Sequence, residues 1–237
     1  MSASPTITPR QYLDHIKTLY NAAGDPERAE GQMRYLRNKF AFYGLKAPEW
    51  VAILRTEFRH KGKFQGALLF EFVRLCFEDE YREIHYCGLQ MLEKQIRTLP
   101  AEAIHFLEEC ICMQSWWDTV DWVNKLVGMH FRRFPELQRL TCERWVASDN
   151  IWLQRVTMIH QLSFKAHELD AQLLLDMVFR LRDSPEFFVQ KGAGWALRQY
   201  SKTDARAVIE FIENNSGLSP LTRREGLKWL RSHGIVT

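Results

Sequence analysis

The stretch "SWWDTVDWVNKLVGMHFRRFPELQRL", residues 115–140, contains the clearest structural pattern in the chain. Apolar side chains recur along it every three or four residues, which is the spacing of a helix face packed in a core. These side chains belong to Trp116, Val120, Val123, Val127 and Phe131. Pro135 and Glu136 then mark the start of a second helix, because proline loses no useful N–H at the first helical position and the helix dipole favours a carboxylate there. The short joint predicts an antiparallel helix pair.

Similar helix-start signals recur along the whole chain. Six of the eight prolines stand at predicted helix starts, namely Pro26, Pro48, Pro100, Pro135, Pro185 and Pro220. No stretch shows a convincing two-residue alternation of a strand or an Asn-Gly hairpin turn. We therefore predict twelve or thirteen helices with short joints, over residues 8–22, 26–43, 48–60, 64–79, 81–97, 100–113, 116–133, 135–147, 150–164, 168–181, 185–201, 204–214 and 220–232.

Helix pairs of about 40 residues stack into α-solenoids of the HEAT type, and a chain of 237 residues holds about six such units. We predict an all-α fold that forms a single domain over residues 1–237. Its architecture would be an α-solenoid of about six HEAT-like repeats with a concave basic groove, and residues 1–8 would be a poorly ordered N-terminal lead. A compact helical bundle without repeats is the alternative, since the units resemble one another only weakly in sequence.

The composition is that of an ordinary globular protein, with 46% hydrophobic and 26% charged residues. The net charge of +3 does not by itself indicate nucleic acid, so any such case rests on where the basic residues lie. The five cysteines lack metal-ligand spacing and are predicted to be reduced, buried thiols. No secretory signal or apolar run of about 20 residues is visible. We expect a cytoplasmic, nucleoid-associated protein in a reducing compartment.

Two aspartates near the start of the helix at 116–133 have different explanations. Ser115 and Asp118 form an S-x-x-D pattern, in which the serine caps the helix and the carboxylate bonds back to its start. Asp118 is therefore predicted to be structural. Asp121 has no such role, and it shares a helix face with Trp117 because the two are four residues apart. Asp121 is thus the candidate for chemistry.

A second tryptophan stands among basic residues in "EFFVQKGAGWALRQYSK", residues 186–202. Lys191, Arg198 and Lys202 lie on the same side as Trp195, which makes a plausible platform for nucleic acid. The alternative is an ordinary cation–π pair on the surface. The flanking glycines, Gly192 and Gly194, would let a backbone or a ligand come close.

Arg155 lies between Ile151 and Ile159 on one face of a third helix. A guanidinium among apolar neighbours requires an anion, which is either an internal aspartate or a DNA phosphate. Both alternatives stay open from the residues alone.

Other basic residues gather in two further places. Each cluster alone is most simply a solvated surface, but together the clusters outline a stripe along the predicted groove. If five DNA phosphates are neutralised there, a plot of the logarithm of the binding constant against the logarithm of the salt concentration should have a slope of roughly −4 to −5. The candidates are Arg34, Arg37 and Lys39 in the second helix, and Arg224, Lys228 and Arg231 in the last.

Four stretches in this order resemble the AlkD family of DNA alkylation repair enzymes: "MRYLRNKFAFYGLKAPEW", "SWWDTVD", "SDNIWLQR" and "FFVQKGAGWALRQY". The resemblance extends over roughly residues 10–235. Members of this family are HEAT-like-repeat DNA glycosylases that excise N3- and N7-alkylated purines. The resemblance therefore implies hydrolysis of the N-glycosidic bond of such purines in duplex DNA. The alternatives are a non-catalytic protein that binds DNA structures and a HEAT-type protein scaffold.

The resemblance also assigns roles to residues and names a partner. It implies that double-stranded DNA with alkylated purines is the partner, and we expect no cofactor, no metal, no membrane association and a monomer. It makes Asp121 the catalytic carboxylate, Trp117 and Trp195 the aromatics that hold the damaged nucleotide, Arg155 and Arg198 phosphate ligands, and Tyr35 a contact to the duplex. These assignments fit the chemistry, because an alkylated purine is already a good leaving group and a carboxylate stabilises the sugar cation left behind.

Overall fold

The computed structural model of the protein describes residues 7–236, which contain thirteen α-helices, one 3-10 helix and no β-strand. The all-α prediction is confirmed. The helices are α1 (Pro9–Ala23), α2 (Pro26–Tyr35), α3 (Ala47–His60), α4 (Gly66–Phe77), α5 (Arg82–Gln95), α6 (Ala103–Cys112), α7 (Trp117–Arg133), α8 (Glu136–Val146), α9 (Ile151–Ile159), α10 (Ala171–Arg180), α11 (Phe187–Tyr200), α12 (Ala205–Asn214) and α13 (Pro220–Ser232), with the 3-10 helix over Ile96–Thr98.

The described residues divide into two compact units, residues 7–99 and 100–236. A single domain over the whole chain stays a prediction. Of the predicted N-terminal lead, residues 1–6 lie outside the described residues. Thr8 lies within the described residues, where it forms a capping box with Gln11 at the start of α1.

The prolines mark helix starts as the sequence predicted, with small differences in register. Pro26 and Pro220 are the first residues of α2 and α13, and Pro48 is the second residue of α3. Pro135 stands one residue before α8. The remaining two, Pro100 and Pro185, precede α6 and α11 by a short turn.

The second helix is shorter than predicted, because it ends at Tyr35 rather than at residue 43. Arg37 adopts a left-handed backbone with a φ of 59°. Its N–H donates to Arg34 over 3.0 Å, and the N–H of Asn38 reaches back to Met33 over 2.7 Å. This pair of bonds is the Schellman arrangement that terminates helices. Glycine usually occupies the left-handed position that ends a helix. Because an arginine stands there, the end of α2 could not be predicted from the sequence.

A buried carboxylate holds the segment that follows α2. Glu83 on α5 accepts hydrogen bonds from the backbone N–H groups of Tyr43, Gly44 and Leu45 at 2.9–3.1 Å. Burial raises the pKa of Glu83, while these three donors oppose that shift by favouring the ionised form. Glu83 thus supplies the partners that an extended segment would otherwise lack in the core.

Alternate helices of the second unit form a row, in which α9 lies between α7 and α11, and α11 packs against α13. The core face predicted for α7 is confirmed, since Val120, Val123 and Val127 are fully buried and Phe131 is nearly so. Helix α9 ends at Ile159 rather than at residue 164. The Ile159 carbonyl accepts from the Leu162 N–H over 3.0 Å and from the Asn124 amide of α7 over 3.1 Å. This row is what brings the candidate site together.

None of the helices within residues 7–236 has both the length and the apolar character needed to cross a membrane. Four of the five cysteines are buried, as predicted, but the prediction is wrong for Cys112, which is exposed. All five are free thiols.

His160 is a buried, neutral histidine that should make stability depend on pH. Its Nδ1 lies 3.1 Å from the Val156 carbonyl and its Nε2 lies 2.9 Å from the Gln138 amide. Burial lowers the pKa of His160 from 6.5 to about 4. Between those values the unfolded chain takes up a proton and the folded chain does not, so stability is complete above pH 6.5 and falls as the pH drops toward 4.

We expect His160 alone to lower the free energy of unfolding by about 2 kcal/mol on going from pH 7 to about pH 5. Denaturant unfolding at a series of pH values measures this. His160→Gln should flatten the slope. Equal slopes for wild type and His160→Gln would contradict the assignment.

Candidate functional site

A bidentate ion pair between two neighbouring helices forms the centre of the candidate site. Asp121 lies one turn inside α7, and Arg155 lies in the middle of α9. Arg155 Nε is 2.9 Å from Asp121 Oδ1, and Nη2 is 3.1 Å from Oδ2. Arg155 Nη1 donates to the Phe188 carbonyl on α11 over 2.7 Å. One guanidinium therefore connects α7, α9 and α11, and each of its nitrogens has a protein partner.

The ion pair shows which anion Arg155 has within the protein. The arginine side chain is only 4% exposed, and its partner is an internal aspartate. Burial explains this pair, because an unpaired guanidinium among apolar neighbours would lose its hydration without compensation. Contact of Arg155 with a DNA phosphate stays a prediction.

Asp121 keeps part of its carboxylate accessible, since its side chain is 24% exposed. Burial raises the pKa of Asp121, Arg155 opposes that shift, and the negative charge of Asp118 adds a smaller upward effect. An ionised carboxylate offers about four hydrogen-bond acceptor positions, of which Arg155 occupies two. The remaining positions can face a positively charged group.

The two candidate tryptophans lie at different places around this pair. Trp195 on α11 is partly exposed, and the Arg155 Cζ lies 5.8 Å from its ring centroid, within cation–π range. Trp117 is the first residue of α7 and is also partly exposed. The structure thus brings Asp121, Arg155 and Trp195 together, with Trp117 one turn before Asp121 on the same helix.

The capping pattern predicted for Ser115 and Asp118 is wrong. Helix α7 begins at Trp117, and Trp116 occupies the capping position with no side-chain bond. The Ser115 hydroxyl instead donates to the Ile111 carbonyl at the end of α6 over 2.7 Å. Asp118 falls within the first turn of α7, where the helix dipole favours a carboxylate, so a structural role for Asp118 is retained on other grounds.

An aromatic cluster lies behind the ion pair. Trp116, Trp152 and Phe188 have ring centroids 4.8–5.9 Å apart. Such contacts favour a fixed arrangement of rings. Because the Phe188 carbonyl is the third partner of Arg155, the cluster also fixes that acceptor. The sequence indicated Trp116 as a core residue but gave no signal for the backbone contact of Phe188.

Two predicted DNA-binding cations share one buried carboxylate that the sequence analysis missed. Lys191 Nζ lies 2.6 Å from Glu225 Oε1, and Arg198 Nη1 lies 2.8 Å from Glu225 Oε2. Glu225 on α13 is 7% exposed, and the hydrogen bond from Lys191 is the main cause that lowers its pKa. Lys191 and Arg198 therefore present less positive charge than their number predicts. Their contact with DNA stays a prediction.

The two glycines beside Trp195 admit parts of the protein itself. A Cβ on Gly192 would lie 3.2 Å from the Arg155 side chain. A Cβ on Gly194 would lie 2.5 Å from the Glu225 Cβ and 3.0 Å from the Thr222 carbonyl oxygen. The glycines thus allow α9 and α13 to approach α11 closely, and this close approach positions both Arg155 and Glu225.

Gly194→Ala is expected to lower the free energy of unfolding by about 1–3 kcal/mol, because the new methyl group forces α11 and α13 apart. Alanine favours helix formation by up to ~1 kcal/mol over glycine, and the expected loss of stability already includes this favourable effect. Denaturant unfolding measures it. Gly31→Ala on α2 is the matched control, since nothing lies within 4 Å of its Cβ, and it should be stabilising. Equal effects of the two substitutions would show that the contact with α13 is loose.

The other predicted DNA-binding residues lie at the surface of the two units. In the first unit, Tyr35 is 71% exposed at the end of α2, and Arg34 is exposed and 3.5 Å from Glu30. Arg37 and Lys39 follow in the turn, so these cations do not share one helix as predicted. In the second unit, the remaining predicted cations are exposed: Lys202 follows α11 and donates to the Gln199 side chain, and Arg224, Lys228 and Arg231 lie on α13.

Residues 7–236 contain no group of three or more His, Cys, Asp or Glu side chains arranged to share a metal ion.

Comparison with known proteins places the chain in a family. The family model of DNA alkylation repair enzymes matches residues 16–230. The solved structure of a predicted DNA alkylation repair enzyme from Enterococcus faecalis is 27% identical with a TM-score of 0.79, and the match covers 87% of this chain and 96% of that one. The crystal structure of smu.31 from Streptococcus mutans UA159 shares the fold, with 12% identity, a TM-score of 0.60 and coverage of 92% and 97%. No curated protein sequence matches significantly. The match over most of the chain shows that this protein belongs to the family of DNA alkylation repair enzymes.

Proposed function

We propose that the protein is a DNA glycosylase that hydrolyses the N-glycosidic bond of N3- and N7-alkylated purines in duplex DNA. The observation that carries the proposal is the Asp121 carboxylate, which is partly exposed and oriented by Arg155 beside Trp195. Membership of a family of alkylation repair enzymes gives the reaction its context.

The chemistry needs a negative charge rather than an acid. Alkylation at N3 or N7 makes the purine cationic, so the bond from C1′ to the base nitrogen breaks with both electrons going to the base. The sugar then carries oxocarbenium character, which a nearby carboxylate stabilises. Water adds to C1′ and loses a proton, leaving an abasic site and a neutral alkylated base. Asp121 is the group placed to stabilise the cation and to orient that water.

Arg155 acts as a positioning residue in this proposal. Its two bonds fix the plane of the Asp121 carboxylate, and its charge favours the ionised form against the effect of burial. The electron-rich faces of Trp117 and Trp195 attract a cationic nucleotide more than a neutral one. Selectivity for the alkylated base would then come from its charge.

A second candidate function is DNA binding without catalysis. The observation that favours it is the same ion pair, because a buried carboxylate that pairs with arginine is also a common structural arrangement. The two functions differ in product. Both predict a complex with duplex DNA, but only the glycosylase releases a free base.

The deciding experiment uses duplex DNA that carries N7-methylguanine at one position. We expect the protein to release free 7-methylguanine faster than the spontaneous rate, as detected by liquid chromatography, and to leave sites that alkali cleaves. The same duplex without the lesion, incubated in parallel, should release no base. Binding of the damaged duplex with release only at the spontaneous rate would overturn the glycosylase proposal and favour the non-catalytic function.

A further inference from the structure

The first unit contains a cleft of about 250 Å³ that is separate from the Asp121 site in the second unit. Residues of α3 and α5 line the cleft, together with Lys63, which follows the end of α3. The residues are Val51, Leu54, Arg55, Phe58, Arg59, Lys63, Gln90 and Lys94. Half of them are cations, and none is acidic.

Several basic residues in the described part of the chain have a carboxylate partner, and these four cations do not. Within residues 7–236, no carboxylate forms an ion pair with Arg55, Arg59, Lys63 or Lys94. By contrast, the arginines at 28, 132, 139, 144, 155, 198 and 206 each pair with an aspartate or glutamate. Several like charges around one cleft repel one another, and an anion that enters the cleft relieves that repulsion.

The frame that carries these cations is fixed. Leu54 is fully buried and Phe58 is 7% exposed, so the floor of the cleft is part of the core. Arg55 and Arg59 are four residues apart on α3, which places them on one face of that helix. Trp50 of α3 and Tyr86 of α5 have ring centroids 5.8 Å apart, which fixes the two helices relative to each other. The backbone positions from which the charged side chains extend are thus set before any ligand arrives.

The lining indicates which anion fits. Arginine matches phosphate oxygens with two parallel N–H donors, and lysine supplies point charges. Apart from the Gln90 amide, the side chains of the cleft offer no hydrogen-bond acceptor with which to recognise a base or a sugar hydroxyl. Contacts of this kind position a nucleic acid without reading its sequence. We propose that this cleft binds the phosphate backbone of duplex DNA and anchors the first unit on it, an inference that rests on the proposed function.

The test compares two variants of equal charge. Arg55→Gln/Arg59→Gln removes two cations from the cleft, and Arg10→Gln/Arg206→Gln removes two exposed cations that already pair with Glu78 and Glu210. Fluorescence anisotropy gives the Kd for an undamaged duplex as a function of salt. The cleft variant should raise Kd by about 10-fold or more near 0.1 M salt and should reduce the magnitude of the log-log slope by about 2, since each phosphate contact contributes about 0.9. The control variant should change neither.

Equal Kd and slope for the cleft and control variants would overturn the proposal. Inorganic phosphate and tripolyphosphate serve as small-anion probes. Binding of either probe with no effect of the cleft variant on DNA affinity would also overturn it. If Arg55→Gln/Arg59→Gln melts early, Lys63→Gln/Lys94→Gln tests the same cleft from its other side. Binding is measured without base release, so a failure of this proposal is distinguishable from a failure of the glycosylase proposal.

Discussion

Asp121→Asn is expected to lower the rate of base release by ~10²–10³ while DNA affinity stays within about twofold of the wild type. The substitution keeps the size of the side chain and one acceptor oxygen for Arg155, but it removes the negative charge. In the proposed mechanism the sugar cation then loses the group that stabilises it, whereas the surfaces proposed to bind phosphates are unchanged. Single-turnover release of 7-methylguanine at saturating protein measures the chemical step, and anisotropy on the same duplex measures binding.

The control for this prediction lies three residues away on the same helix. Asp118→Asn makes the same change of charge in the first turn of α7, and it should cost about 1 kcal/mol of stability through the helix dipole while leaving base release intact. Wild-type release rates in Asp121→Asn would remove Asp121 from the mechanism. Loss of release in Asp118→Asn with normal melting would show that the roles of the two aspartates are reversed.

Arg155→Met is expected to lower the free energy of unfolding by about 3–5 kcal/mol. Methionine fills much of the same space, so the main loss is the partner of a largely buried carboxylate. Without Arg155, burial would raise the pKa of Asp121 further, because the opposing charge is gone. As the pH is lowered, the rate of base release should therefore begin to fall at a higher pH than in the wild type. Denaturant unfolding and the pH profile of single-turnover release measure the two effects.

A double-mutant cycle separates the ion pair from its surroundings. Adding Asp121→Asn to Arg155→Met should recover much of the lost stability, because no uncompensated charge remains. The exposed pair Arg206–Glu210 on α12 is the matched control, with side chains 88% and 53% exposed, and its coupling should be far weaker than that of the pair at 121 and 155. Purely additive effects at positions 121 and 155 would mean that the pair does not act as a unit.

The parts of the fold that depend on local spacing were predictable. The buried face of α7 followed from the recurrence of Val120, Val123 and Val127, and the start of α13 followed from Pro220 after a capping serine. Both signals act within one or two helical turns. A single sequence therefore contains all the information that such elements require.

The parts that depend on distances between helices were not predictable. Nothing in the spacing of α9 distinguishes an internal anion for Arg155 from a phosphate, because Asp121 is 34 residues away along the chain. Glu225 likewise reaches Lys191 and Arg198 only because Gly194 lets α13 come close. The end of α2 was missed for a different reason, since an arginine takes the left-handed position that glycine usually fills.

The carboxylate of Glu225 has a consequence for how long a complex with intact DNA would last. A phosphate that approaches Lys191 and Arg198 has to compete with an anion that is already attached to the protein, so part of the attraction is cancelled. Weaker attraction shortens each stay on undamaged duplex, and a protein that leaves sooner visits more of a genome in a given time. If α13 contacts DNA as predicted, its acidic residue would favour the search for rare lesions over tight holding.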